Sequence, residues 1–185
     1  MILPILAYGH PILKKYSEDV KENTPELQKL IADMFDTMGN AKGVGLAAPQ
    51  VGQNIRVFVI DLDPFSDKTP EYKKFKKVYI NLHILKEEGN EWAYDEGCLS
   101  VPGITENVYR KPKVTIEYED ADFTHRIETV EGMMARVIQH EHEHLEGHIF
   151  TENLSSLKRT MLSKKLENIS RGKTSGRYKM IFPRK

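Results

Sequence analysis

Three residues late in the chain set the tightest limit on what it can fold into. His140, Glu141 and His144 lie in the run Gln139-His140-Glu141-His142-Glu143-His144-Leu145-Glu146-Gly147. Two histidines four positions apart share one face only when the segment is helical. His-Glu-x-x-His then offers two imidazoles to a single metal ion and a carboxylate beside the open coordination position. A chain of this composition would contain the pattern by chance about one time in forty, so it needs support from elsewhere in the sequence. Without that support the stretch reads as a solvated, histidine-rich helix face.

The flanking pattern predicts a helix over Glu131 to Glu146, with Gly147 as its C-cap. An earlier helix is expected from Thr24-Pro25-Glu26, which combines an N-cap, a first-turn proline and an early acid. Leu27, Leu30, Ile31, Met34, Phe35 and Met38 form its apolar stripe, and Gly39-Asn40 ends it. Strands are expected at Ile55 to Asp61, Val78 to Leu85, Lys113 to Asp120 and His125 to Val130. The last two form a hairpin across Asp120-Ala121-Asp122. Residues 63–77 read as an exposed polar loop and Lys86 to Asn90 as a charged turn. Leu154 to Ile169 reads as a helix, and Tyr178 to Phe182 as a last strand. The apolar Met1 to Ala7 lacks a basic flank and contains Pro4, which suits a packing arm better than a signal peptide. At 185 residues the chain is expected to form one domain, and no apolar run is long enough to span a bilayer.

A catalytic site of this type needs a third ligand. The extension His-x-x-Gly-x-x-His matches through Gly147 but places Phe150 at its last position, with His148 out of register. Glu167 is the one acid after Glu152 and stays open as a candidate, which would make a zinc endopeptidase. The other candidate is Cys98, the single cysteine, flanked by Gly97 and by Pro102-Gly103. A lone cysteine excludes an internal disulfide and fits a reducing compartment. Gly43, Gly45 and Ala48 match a dinucleotide fingerprint, but the preceding helix and Pro49 speak against it. These glycines instead suit close approach of backbone to a ligand.

The segments Gly43-Val44-Gly45-Leu46-Ala47-Ala48-Pro49-Gln50, Glu96-Gly97-Cys98-Leu99-Ser100 and Gln139 to Leu145 resemble, in order and spacing, the three signature motifs of the peptide deformylases. The resemblance runs to about Phe150 and implies an α+β fold, with small antiparallel sheets surrounding a central helix that carries the metal motif. It implies removal of the formyl group from N-formylmethionine on nascent cytoplasmic polypeptides. Cys98, His140 and His144 would then be metal ligands, and Glu141 the acid–base group. Gln50 and the backbone N–H of Leu99 would receive the oxyanion. Gly43, Val44, Gly45, Gly97, Met133 and Val137 would contact substrate. The implied metal is Fe²⁺, with Zn²⁺, Ni²⁺ or Co²⁺ able to take the same donors. Glu143 stands where the family usually has Asp. The substrate-contacting arginine that some members carry after the cysteine motif is absent from residues 101–105. His142 is expected to be exposed.

The formal charge is zero, yet residues 155–185 hold ten Lys or Arg against Glu167 alone. This basic helix-and-strand extension is a candidate contact for ribosomal RNA, with neither a membrane nor DNA expected as partner. A non-catalytic metal or polyanion-binding protein is the remaining alternative. The pairing of Glu141 with Gln50 argues against it, since binding a metal requires neither.

Overall fold

The computed structural model describes residues 1–174 and 176–183. Its elements in chain order are β1 (Ile5–Leu6), α1 (Pro25–Asn40), β2 (Gly45–Ala47), β3 (Val57–Asp61), β4 (Lys76–Glu88), β5 (Trp92–Gly97), β6 (Thr105–Arg110), β7 (Lys113–Glu119), β8 (His125–Glu131), α2 (Gly132–Leu145), α3 (Ser156–Ser170) and β9 (Met180–Ile181). The main sheet is antiparallel in the order β2-β3-β4-β7-β8, and β5 pairs with β6 as a separate antiparallel hairpin. The expected α+β arrangement around the motif-bearing helix is therefore present, with one addition. β1 and β9 form a two-stranded parallel ladder that ties the two ends of the described chain together.

Burial explains why β3 reads as an unbroken apolar run. Phe58 and Ile60 face α2, packing with Ala135, Ile138 and Leu145. Val57 and Val59 face the opposite way, against Leu27, Ile31, Met34 and Met38 of α1. A strand covered on both faces needs no polar alternation. β7 follows the predicted alternation, with Val114, Ile116 and Tyr118 in the core. β4 extends beyond the expected Leu85 to Glu88, so most of the predicted charged turn is strand. Its register shifts between Ile80 and His83, where Asn81 has a left-handed φ of 52° and bonds Val20 through its side-chain amide. That bulge lets Ile80 face α1 while Leu82 faces α2. Residues 63–77 hold two short 3-10 turns rather than a plain loop, and Tyr72 within them is buried.

α1 begins and ends where its sequence signals place it, with the Thr24 hydroxyl accepting from the Leu27 N–H at 3.2 Å. α2 closes through Gly147, whose φ of 76° is left-handed. A Cβ there would stand 2.8 Å from the Lys14 carbonyl, so the turn also requires glycine for space. α3 buries Leu162, Leu166 and Ile169 against Leu6, Leu13, Val101, Val108 and Phe150. The basic segment is thus a packed part of the body, although its Arg184 and Lys185 lie outside the described residues.

Candidate active site

α2 carries His140 and His144 on one face, and the turn leaving β5 brings Cys98 to them. One donor atom from each lies within 4.8 Å of the others. Cys98 Sγ stands 3.2 Å from His144 Nε2. The Gln50 side-chain amide donates to the same sulfur at 3.4 Å, and the Ser100 N–H at 3.5 Å. The geometry brings Cys98, and not Glu167, to the two histidines. Glu167 is exposed and paired with Arg171 Nη2 at 2.5 Å, and Phe150 stacks on the His140 ring with centroids 5.8 Å apart.

His140 is oriented from behind. Its Nδ1 meets Glu96 Oε2 at 2.9 Å, which leaves Nε2 for the site. Glu96 in turn accepts from Arg110 Nε at 2.7 Å and from Arg136 Nη1 at 2.6 Å. Arg110 also holds Glu143 through two bonds of 2.6 and 3.0 Å, and the Asn153 amide bonds Glu143 at 2.7 Å. Burial works against charge on Glu96. The hydrogen bonds from His140 and Arg110 outweigh it and hold the carboxyl well below its usual range. Burial pushes His144 well below the ordinary imidazole value, which keeps it neutral and able to ligate. His140 is raised: burial lowers it, but hydrogen bonds to Cys98 and Glu96 prevail.

Glu141 points the other way, toward Gly45. Burial pushes its carboxyl up to about 7, and Oε2 has no hydrogen-bond partner among the described residues. A buried, unpaired carboxylate oxygen costs stability unless something else engages it. A Cβ on Gly45 would stand 2.2 Å from Glu141 Oε1, so this glycine makes room for the carboxylate. Gln50 Oε1 accepts from the Ala47 N–H at 2.8 Å, which turns its Nε2 toward Cys98 and Ser100. The donor set fits a divalent metal: a thiolate-forming sulfur and two imidazoles converge, one imidazole backed by a carboxylate.

These groups open onto a groove of about 660 Å³. All twelve residues singled out from the sequence belong to this region. Gly43, Val44, Gly45, Gly97, Leu99, Met133 and Val137 line the groove, together with Gln50, Cys98, His140 and Glu141, while His144 lies behind Cys98. β2 is the edge strand of the main sheet, so its free edge borders the groove. Sequence reasoning did not find Glu96, Arg110, Arg136 or Ser100 as parts of the site. Glu96 stood inside a motif and could have been found; Arg110 has no local signal. Glu143, at the position where the family usually has Asp, pairs with Arg110 behind the ligand-bearing face of α2. His142 is half-buried, 3.4 Å from Glu146, and not exposed as expected. Tyr178 also borders the groove, donating from its hydroxyl to the Leu99 carbonyl at 2.7 Å.

The sequence profile of the polypeptide deformylase family matches residues 2–160. A peptide deformylase of Flavobacterium johnsoniae is 52% identical over 189 residues, covering 98% of this chain and 96% of the relative. That of Salinibacter ruber is 40% identical, covering 98% and 95%. The crystal structure of a peptide deformylase from Legionella pneumophila superposes with a TM-score of 0.81 at 41% identity, covering 92% of this chain and 96% of that one. The one from Thermus thermophilus gives 0.82 at 37% identity, covering 93% and 99%. With the ligand triad, the buried glutamate and the edge-strand groove already in place, these likenesses lead to one conclusion: the chain belongs to the polypeptide deformylase family of metal-dependent hydrolases that remove an N-formyl group.

Proposed function

We propose that Cys98, His140 and His144 hold one Fe²⁺ ion and that the site deformylates the N-formylmethionine of nascent polypeptides. The observation that carries this reading is the convergence of those three donors beside a buried, unpartnered Glu141 oxygen in an open groove. When bound, the metal supplies Lewis acidity, polarising the formyl carbonyl and acidifying the attacking water. Zn²⁺, Ni²⁺ and Co²⁺ suit the same donors.

Glu141 takes the proton from water on its free carboxylate oxygen and returns it to the amine nitrogen as the C–N bond breaks. Burial, which brings its pKa to about 7, suits both directions of transfer near neutral pH. The oxyanion of the tetrahedral intermediate accepts hydrogen bonds from Gln50 Nε2 and the Leu99 N–H. Gln50 is ready for this task because the Ala47 N–H already holds its carbonyl oxygen. Formate leaves, and the free amino terminus remains on the peptide.

The substrate backbone adds to the edge of β2 through residues Gly43 to Gly45 and passes Gly97 on the facing wall. Main-chain pairing tolerates any residue after methionine. Val44, Met133 and Val137 supply apolar surface for the methionine side chain.

Residues 1–185 act as one catalytic domain, because α3 and β9 complete a shared core and its parallel ladder. The outer face of α3 presents Arg159 and Lys164 beside Leu157 and Met161, which are 70% and 72% exposed. A basic face with apolar studs suits docking to ribosomal RNA and protein in the cytoplasm. No described helix is long and apolar enough to cross a membrane.

Formate release from formyl-Met-Ala-Ser tests the reading. The wild type should release formate, Glu141→Ala should bind metal without turnover, and Cys98→Ala should lose most of its metal. Cleavage of the Met–Ala bond without formate would overturn it. Anaerobic iron-loaded enzyme should lose activity in air faster than a nickel-substituted form, because the ligating thiolate can be oxidised.

A further inference from the structure

The groove has a wall that the catalytic motifs do not account for. Gly176, Arg177 and Tyr178 border it, arriving from the end of the chain. This tail is held in place on both sides of the groove mouth. β1 accepts it as a parallel strand, with the Ile5 N–H bonding the Lys179 carbonyl at 2.9 Å and the Ala7 N–H bonding the Ile181 carbonyl at 2.8 Å. The Tyr178 hydroxyl bonds the Leu99 carbonyl at 2.7 Å. A Cβ built on Gly176 would stand 3.5 Å from Pro102, so the tail crosses the turn that follows Cys98.

The placement sets an exposed guanidinium at the groove wall. Arg177 has no hydrogen bond or ion pair among the described residues. The acids that line the same groove are engaged or reserved: Glu96 by Arg110 and Arg136, Asp95 by the Asn107 amide at 3.1 Å, Glu141 by catalysis. A smaller depression on the other side of Pro102-Gly103-Ile104 is lined by Lys165 and Lys173 and contains no acid. On the tail side the groove thus carries Arg177, with Lys165 and Lys173 beyond the turn, whereas residues 101–105 themselves carry no charge.

We propose that Arg177 is a specificity-determining residue that binds an acidic group on the substrate a few residues beyond the formylmethionine. The favoured class is formyl-Met peptides with Asp, Glu or a terminal carboxylate near the third or fourth position. The guanidinium matches a carboxylate with two parallel N–H donors, and the ladder to β1 fixes the backbone that carries it. This proposal rests on the deformylase reading.

The test compares formyl-Met-Ala-Ser as free acid and as amide, and formyl-Met-Ala-Asp-amide with formyl-Met-Ala-Lys-amide, all on the metal-loaded full chain. At low salt the wild type should favour the acidic member of each pair by roughly two- to fivefold in KM, as expected of a partly exposed ion pair, and the preference should fade with added salt. Arg177→Ala should remove the preference and Arg177→Lys should restore part of it. Lys179→Ala, a charge loss on the same tail outside the groove, should keep it. Lys42 also lines the groove. Equal KM values in the wild type would overturn the proposal, as would a preference that survives Arg177→Ala or that Lys42→Ala abolishes instead. Absence of formate from every peptide would instead remove the deformylase reading on which it stands.

Discussion

At the scale of single residues, the site depends on where a side chain is missing and a carboxylate oxygen is left free among the described residues. Gly45 leaves the space that Glu141 occupies, so Gly45→Ala forces a methyl group into the carboxylate. This variant should lose at least tenfold in kcat with its metal content unchanged, measured by formate release beside metal analysis. Gln50 is held at its carbonyl end by the Ala47 N–H, and its amide end donates to the Ser100 hydroxyl and the Cys98 sulfur. Gln50→Ala should raise the barrier by about 3 kcal/mol, read as a fall in kcat with KM little altered. A matching fall in metal content would show that the amide serves the Cys98 sulfur rather than the oxyanion.

At the scale of elements, ion pairs do the work that apolar contacts do elsewhere. The β5–β6 hairpin is joined to α2 through Glu96, Arg110, Arg136 and Glu143, and Arg136 lies over the Trp92 ring at 4.1 Å. Arg110→Met leaves the buried Glu96 carboxylate short of a partner and the half-buried Glu143 without its cation, and should destabilise by about 3–5 kcal/mol in denaturant unfolding. Restoration by the double change Arg110→Met with Glu143→Gln would be partial, because Glu96 would still lack Arg110 and keep only Arg136 and His140. A gentler pair joins the turn around Lys14 to the turn before α3. Glu152 meets Lys14, His148 Nδ1 at 3.1 Å and the Ile149 N–H at 3.2 Å. Burial raises its pKa, but the bonds from Lys14 and His148 prevail and the net shift is downward. A carboxyl depressed in the folded state contributes stability above its unfolded pKa and loses it as the pH falls through the folded value. Glu152→Gln should therefore be less stable than wild type by about 0.5–1 kcal/mol at neutral pH. That gap should close as the pH falls through the depressed folded value, as followed by thermal melts across pH.

For the molecule as a whole, the basic terminal segment has two faces with different duties. Leu162, Leu166 and Ile169 are buried, so removing residues 155–185 would strip a core rather than an appendage. Leu166→Ala alone should cost about 2–4 kcal/mol. Ribosome docking is better tested on the outer face. Arg159→Glu with Lys164→Glu should leave the melting temperature and short-peptide hydrolysis near wild type. It should weaken binding to ribosomes and flatten its dependence on salt. Binding that is unchanged at every salt concentration would place the contact elsewhere.

Local signals in the chain determined α1, α2 and their caps, the β7–β8 hairpin and the candidate ligands. Each of these depends on residues within a few positions of one another: a 3.6-residue stripe, a period of two, a left-handed glycine, two histidines one turn apart. The three motifs were legible for the same reason, since each is a short run. Only tertiary structure decided the rest. β5 and β6 escaped notice because the residues they bury include Glu96 and Arg110, and a strand that turns charges inward has no apolar alternation. The ladder of β1 with β9 joins residues about 175 positions apart through backbone bonds, which leave no mark on composition. Arg177 reached the groove by that same long-range pairing. The pairing of Glu96 with Arg110 likewise follows from distances that the folded chain sets and no local pattern encodes.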